Sequence, residues 1–73
     1  MSDETNQIRD RSDELAPCPK CGKKYPWYEP AYGGLICRVI CEGCGESVFR
    51  CTIGREGYAT DEAIDAWNKG ETD

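Results

Sequence analysis

Apolar residues are thin up to residue 14, where Ile8 is the only large one, and they gather between Ala16 and Trp67. Within that region the pattern changes period. Leu35-Ile36-Cys37-Arg38-Val39-Ile40 and Ser47-Val48-Phe49-Arg50-Cys51-Thr52-Ile53 are rich in β-branched and aromatic residues and read as two strands. Between them lies Cys41-Glu42-Gly43-Cys44-Gly45, short and glycine-containing, which makes the pair an antiparallel hairpin. Lys24 to Tyr28 reads as a further short strand, interrupted by Pro26, and Glu29 to Gly34 as a turn. Thr60 is a good N-cap for a helix over residues 61–69, with Asp61 and Glu62 in its first turn and Gly70 placed to end it. Ala63, Ile64 and Trp67 share one face of that helix, and Asp65 and Lys69 pair on another. A helix of this length is unstable alone. It must dock on the hairpin, with Ile64 and Trp67 as its anchors. Residues 1–14 are too polar to offset the cost of ordering and read as a disordered arm, residues 15–70 as one domain, and residues 71–73 as a tail.

A core this small rarely holds a 73-residue chain by itself. The six cysteines and the absence of histidine indicate what assists it. Cys18-Pro19-Lys20-Cys21-Gly22 and Cys41-Glu42-Gly43-Cys44-Gly45 are two C-x-x-C-G pairs separated by nineteen residues. Two pairs of this spacing mark a tetrahedral metal site, with Cys18, Cys21, Cys41 and Cys44 as ligands. Each tight turn aims two thiolates at one ion, and the glycine after it allows positive φ. Four thiolates leave no position for water or substrate, so the reading is one structural Zn2+. Iron in a rubredoxin-like centre uses the same ligands. A redox dithiol lacks the βαβ pattern it needs, and a secreted disulfide scaffold lacks an export signal. The expected fold is therefore a small α+β zinc ribbon: two knuckles, a two- or three-stranded antiparallel sheet and one C-terminal helix.

Cys37 and Cys51 remain. If facing residues of the hairpin sum to about 88, these two lie opposite each other on the face of Val39 and Phe49. They read as buried thiols; a reversible disulfide or a ligand exchange with Cys41 are the alternatives.

Charge narrows the function classes. The formal net charge is −5, with −3 over residues 1–16, +2 over residues 17–52 and −4 over residues 53–73. Four thiolates on Zn2+ make it more negative still. Non-specific DNA binding, which needs a cationic surface, fits poorly; a basic protein partner fits better. There is no membrane-spanning run, and reduced cysteines suit a reducing cytoplasm. Without histidine or a nucleophile–base arrangement, no enzymatic chemistry is expected. Lys20, Lys23 and Lys24 beside Tyr25, Trp27, Tyr28 and Tyr32 form a candidate binding surface. Aromatics among basic residues stack single-stranded bases, or simply cover a metal site and fill a thin core. Arg38 and Arg50 extend the basic stretch.

Three segments together carry a family resemblance: Glu14-Leu15-Ala16-Pro17-Cys18-Pro19-Lys20-Cys21-Gly22, Val39-Ile40-Cys41-Glu42-Gly43-Cys44-Gly45, and Glu62-Ala63-Ile64-Asp65-Ala66-Trp67-Asn68. They resemble the Lar-like restriction alleviation family over roughly residues 14–69. The resemblance implies a zinc-binding phage or prophage protein in the host cytoplasm. It further implies relief of type I restriction through contact with the host restriction–modification enzyme, with Cys18, Cys21, Cys41 and Cys44 as the metal ligands. Nothing carries over for Cys37 and Cys51. The alternative class is a nucleic-acid-binding zinc ribbon that works through the lysine–aromatic surface.

Overall fold

The computed structural model describes residues 9–72. Three strands, β1 (Trp27–Ala31), β2 (Ile36–Ile40) and β3 (Ser47–Cys51), form an antiparallel sheet in the order β1-β2-β3. One helix, α1 (Ala59–Asn68), packs across β2 and β3. Among the described residues no helix is long and apolar enough to cross a membrane. The α+β ribbon expected from the pattern is the fold.

The first strand lies later than expected, and the expected turn shrinks to Tyr32–Gly34. Pro30 sits inside β1, a position that looks unsuitable for a strand. Cys41 donates its backbone N–H to Glu46, and Thr52 donates to Leu35. The odd-numbered positions of β2 thus bond toward β3, and the even-numbered ones toward β1. Pro30 faces Cys37, so its missing N–H points away from the ladder, where an edge strand tolerates proline.

The hairpin register is one residue tighter than expected. Val39 faces Val48, Cys37 faces Arg50, and Cys51 faces Ile36. Side chains alternate along a strand, so that single step puts Cys37 and Cys51 on opposite faces. Cys37 is fully buried under the helix and Cys51 is exposed on the open side. The expected cross-strand partnership does not occur: Cys51 shares the open side with Phe49, and Cys37 shares the buried face with Val39. The structure holds both cysteines as free thiols.

The core is Val39 and Val48 from the sheet, Ala59, Ala63, Ala66 and Trp67 from the helix, and Cys18, Cys37 and Cys41. Leu15 and Tyr28 pack partly buried against it. Ile64 is buried on the same helix. Three alanines let the helix approach the sheet closely, and Trp67 supplies most of the bulk. Trp67 Nε1 donates to the Ala16 carbonyl at 2.8 Å. Asn68 Oδ1 accepts the Ala16 N–H at 2.7 Å, and its Nδ2 donates to the Glu14 carbonyl at 2.9 Å. Two adjacent helix residues thereby hold the segment that leads into the first cysteine pair.

The helix starts earlier than Asp61. Tyr58 occupies the N-cap position without a side-chain cap, and Thr60 is a buried helical residue instead of the cap. Arg11 serves this end: its Nη1 lies 2.6 Å from Asp61 Oδ1 and 3.5 Å from Thr60 Oγ1, and its Nε lies 2.7 Å from Glu14 Oε2. Residues 9–14, expected within a disordered arm, therefore contain a short 3-10 turn at Ser12–Glu14 and a buried arginine. Polar residues order here through ion pairs, which a hydrophobicity reading does not detect. The rest of that arm, residues 1–8, lies outside the described residues, as does Asp73 of the tail. The helix ends as expected. Gly70, at φ 78, donates to the Trp67 carbonyl, and Glu71 donates to the Ala66 carbonyl, the bond pair of a Schellman stop.

Candidate metal centre

Each cysteine pair is built by the same local rule. Cys18 N–H donates to the Lys23 carbonyl and Gly22 N–H to the Cys18 carbonyl; Cys41 donates to Glu46 and Gly45 to Cys41 in the same offsets. The closing glycines take φ 75 at Gly22 and 83 at Gly45, a conformation that costs other residues strain. One knuckle precedes β1 and the other is the β2–β3 turn, so the sheet brings them together.

The four sulfurs converge, each within 4.8 Å of the others. Cys18 Sγ is 3.4 Å from Cys44 Sγ, and Cys21 Sγ is 3.5 Å from Cys41 Sγ. A tetrahedron of thiolates at a zinc–sulfur length of about 2.3 Å has edges of about 3.8 Å. The cage is therefore the size of a metal site. Cys18 and Cys41 are buried while Cys21 and Cys44 reach the surface. Gly43 shows how closely the backbone wraps this cage. A Cβ there would stand 3.6 Å from Cys41 Sγ, 3.7 Å from Cys21 Sγ and 3.1 Å from the Lys23 side chain.

The electrostatics favour thiolate at part of the cluster. Burial pushes the Cys18 thiol up, but the backbone N–H groups of Cys21 and Lys20 and the neighbouring sulfurs outweigh it and bring it down to about 6. Cys41 moves down as well, drawn chiefly by the Cys44 backbone N–H. Cys44 goes the other way, to about 12: the Glu46 backbone N–H pulls it down, but the Cys18 sulfur and burial prevail. Four sulfurs this close cannot all be anionic without a cation between them. That is the chemistry of a metal-ligand set, and every member is a sulfur, which suits zinc or iron.

The lysine–aromatic surface expected from the sequence is divided by the fold. Trp27 is exposed on the open face of the sheet, while Tyr28, its neighbour, turns toward the core beside Cys37. Tyr25 and Tyr32 are exposed, each at positive φ, which is uncommon for a bulky residue. Lys20 pairs with Glu46 at 3.7 Å, and Lys23 lies along Gly43. The acidic helix is also different from a bare acidic patch. Asp61 pairs with Arg11, Glu62 with Arg55 and Asp65 with Lys69.

The family model for restriction alleviation protein Lar matches residues 13–71. The chain belongs to this family. The match takes in both knuckles, the sheet, and the Trp67-Asn68 helix end. Arg11 lies just outside the matched span. No curated protein and no solved structure matches the chain.

Proposed function

We propose that this Lar-family chain is a zinc-stabilised interaction protein that relieves restriction by binding a host restriction–modification enzyme, and that it is encoded by a phage or prophage. The observation that carries the reading is the family match over a domain whose two knuckles close into a four-sulfur cage. All four ligand positions are taken by protein, so the metal's work is folding, and the activity falls to the surface. The protein carries no histidine, the usual general base, which supports action by contact. Zinc is preferred over iron because a closed tetrahedral thiolate site in a small domain is its commonest structural use.

The test is the plating efficiency of unmodified phage on a host with a type I system. Expression of the chain should raise it, and the double substitution Cys18→Ser, Cys41→Ser should abolish the gain together with the fold. Metal analysis of the purified protein should return one zinc per chain. Affinity capture with the zinc-loaded chain should recover restriction subunits. Tight gel-shift binding to DNA at low salt, without recovery of those subunits, would instead favour a nucleic-acid ribbon.

A further inference from the structure

The helix covers one face of the sheet, and the other presents partly exposed side chains. Trp27 on β1 and Phe49 on β3 are 53% and 50% exposed there, with half-buried Ile36 and Ile40 between them on β2. The strand edges are poor sites for adding a further strand. β1 carries Pro30, and on β3 the outward carbonyls of Phe49 and Cys51 accept from Arg50 at 2.7 Å and Arg55 at 2.9 Å. A partner that engages the sheet therefore lies across its open face.

Charge says what kind of partner. Two concavities adjoin Trp27. One, of about 300 Å3, is lined by Trp27, Arg38, Ile40 and Glu42; the other, of about 310 Å3, is bordered by Asp10, Tyr25, Trp27 and Glu42 among its lining residues. Arg38 is already held by Glu29 at 2.7 Å. Glu42 has no ion pair among the described residues, unlike the acids of the helix. Asp10 accepts the Ser12 N–H at 2.9 Å, and that bond holds its carboxyl below the usual range. An exposed indole that shares its concavities with the carboxylates of Asp10 and Glu42 attracts a cation, by the ring quadrupole and by charge together. The same carboxylates repel phosphate, and a net charge of −5 disfavours a second copy of the chain.

We infer that the open sheet face docks a basic, apolar segment of a partner protein, with a lysine or arginine seated against Trp27 beside Glu42 and apolar side chains laid over Ile40 and Phe49. The inference deepens the reading of the chain as a restriction-relieving interaction protein and supplies the chemistry of the contact.

The metal-loaded full chain, labelled with nitrogen-15, can be titrated with a peptide of alternating lysine and leucine. Amide shifts should concentrate at Trp27, Ile40, Glu42 and Phe49, and the exposed Trp27 indole should move while the buried Trp67 indole stays. Trp27→Ala and Glu42→Lys should each weaken binding by about tenfold, the scale of a partly desolvated cation–π contact, with unchanged helix content. Absence of binding, shifts confined to Asp61, Glu62 and Asp65, equal binding of a glutamate–leucine peptide, or tighter binding of oligothymidine to this face would each overturn the proposal. The plating assay separates it from the reading it rests on. A chain that never relieves restriction refutes that reading whatever the peptide does. A Glu42→Lys or Trp27→Ala chain that relieves restriction fully refutes the docking face and leaves the reading intact.

Discussion

Two cysteines outside the metal cage show how much a single residue's environment decides. Burial pushes the Cys37 thiol up to about 11, against the pull of the nearby Tyr28 hydroxyl. A thiol that stays protonated at neutral pH and is sealed under a helix is a poor nucleophile. Cys51 faces solvent. In the metal-loaded protein an aromatic disulfide reagent at pH 8 should therefore modify one cysteine rapidly, and peptide mapping should find it at Cys51; Cys37 should react only at the rate of unfolding. Rapid modification of both would contradict the observed register. Trp67 sets the other extreme. It is the largest fully buried side chain and also donates to Ala16. Trp67→Ala should cost about 3–5 kcal/mol, enough to unfold a domain of this size, as read by urea denaturation. Trp67→Phe should cost less, since it keeps most of the packing and loses the hydrogen bond.

At the scale of elements, the helix depends on two ends held by different means. Its start is braced by Arg11, whose guanidinium bridges Glu14 and Asp61. Both carboxylates are substantially exposed, so solvent discounts the pair, and Arg11→Ala should destabilise by about 1–2 kcal/mol. Hydrogen bonding from Arg11 holds the Glu14 carboxyl below its ordinary value of 4.5. A lowered carboxylate pKa gives stability that is full above the unfolded value and is lost as pH falls through the folded one. The melting-temperature gap between wild type and Arg11→Ala should accordingly be constant from pH 7 to about 5 and close below that. The comparison cancels the acid sensitivity that both proteins share at the cysteines. The helix end relies on Gly70, where a Cβ would meet only an ordinary 3.6 Å contact with Pro19. Gly70→Ala should cost about 1 kcal/mol from the backbone alone. Of these elements, the hairpin and the Gly70 stop were legible in the sequence, because β-branched runs and glycine carry local signals. The brace was not. Arg11 and Asp61 are fifty residues apart, and nothing local marks an arginine that will be buried. The register of β2 against β3 was illegible for a related reason: a six-residue knuckle closes the hairpin, and no dipeptide turn rule covers it.

For the whole molecule, the deciding comparison is between what the core supplies and what the cage supplies. Among the described residues, the buried apolar side chains larger than alanine and cysteine are Val39, Val48, Ile64 and Trp67. That is a small set of core side chains, and domains of this size rarely stay folded on burial alone. A four-thiolate zinc site is worth about 10–16 kcal/mol of binding free energy, and a metal held by this cage would join two knuckles whose cysteines lie as much as 26 residues apart in sequence. The cage was legible from spacing alone because both of its turns are local. The open face with Trp27 was not, because residue spacing does not tell which side of a sheet a helix will cover. Chelation should remove both: the cage goes first, and the sheet that presents Trp27 and Phe49 goes with it. On adding a strong chelator, amide dispersion and helical dichroism should collapse in one transition, and Trp67 emission should shift red as its ring meets water. Zinc added back under reducing conditions should restore all three signals. A chain that kept its dispersed spectrum without metal would show that the apolar core suffices, and the cysteine cage would then need a purpose other than folding.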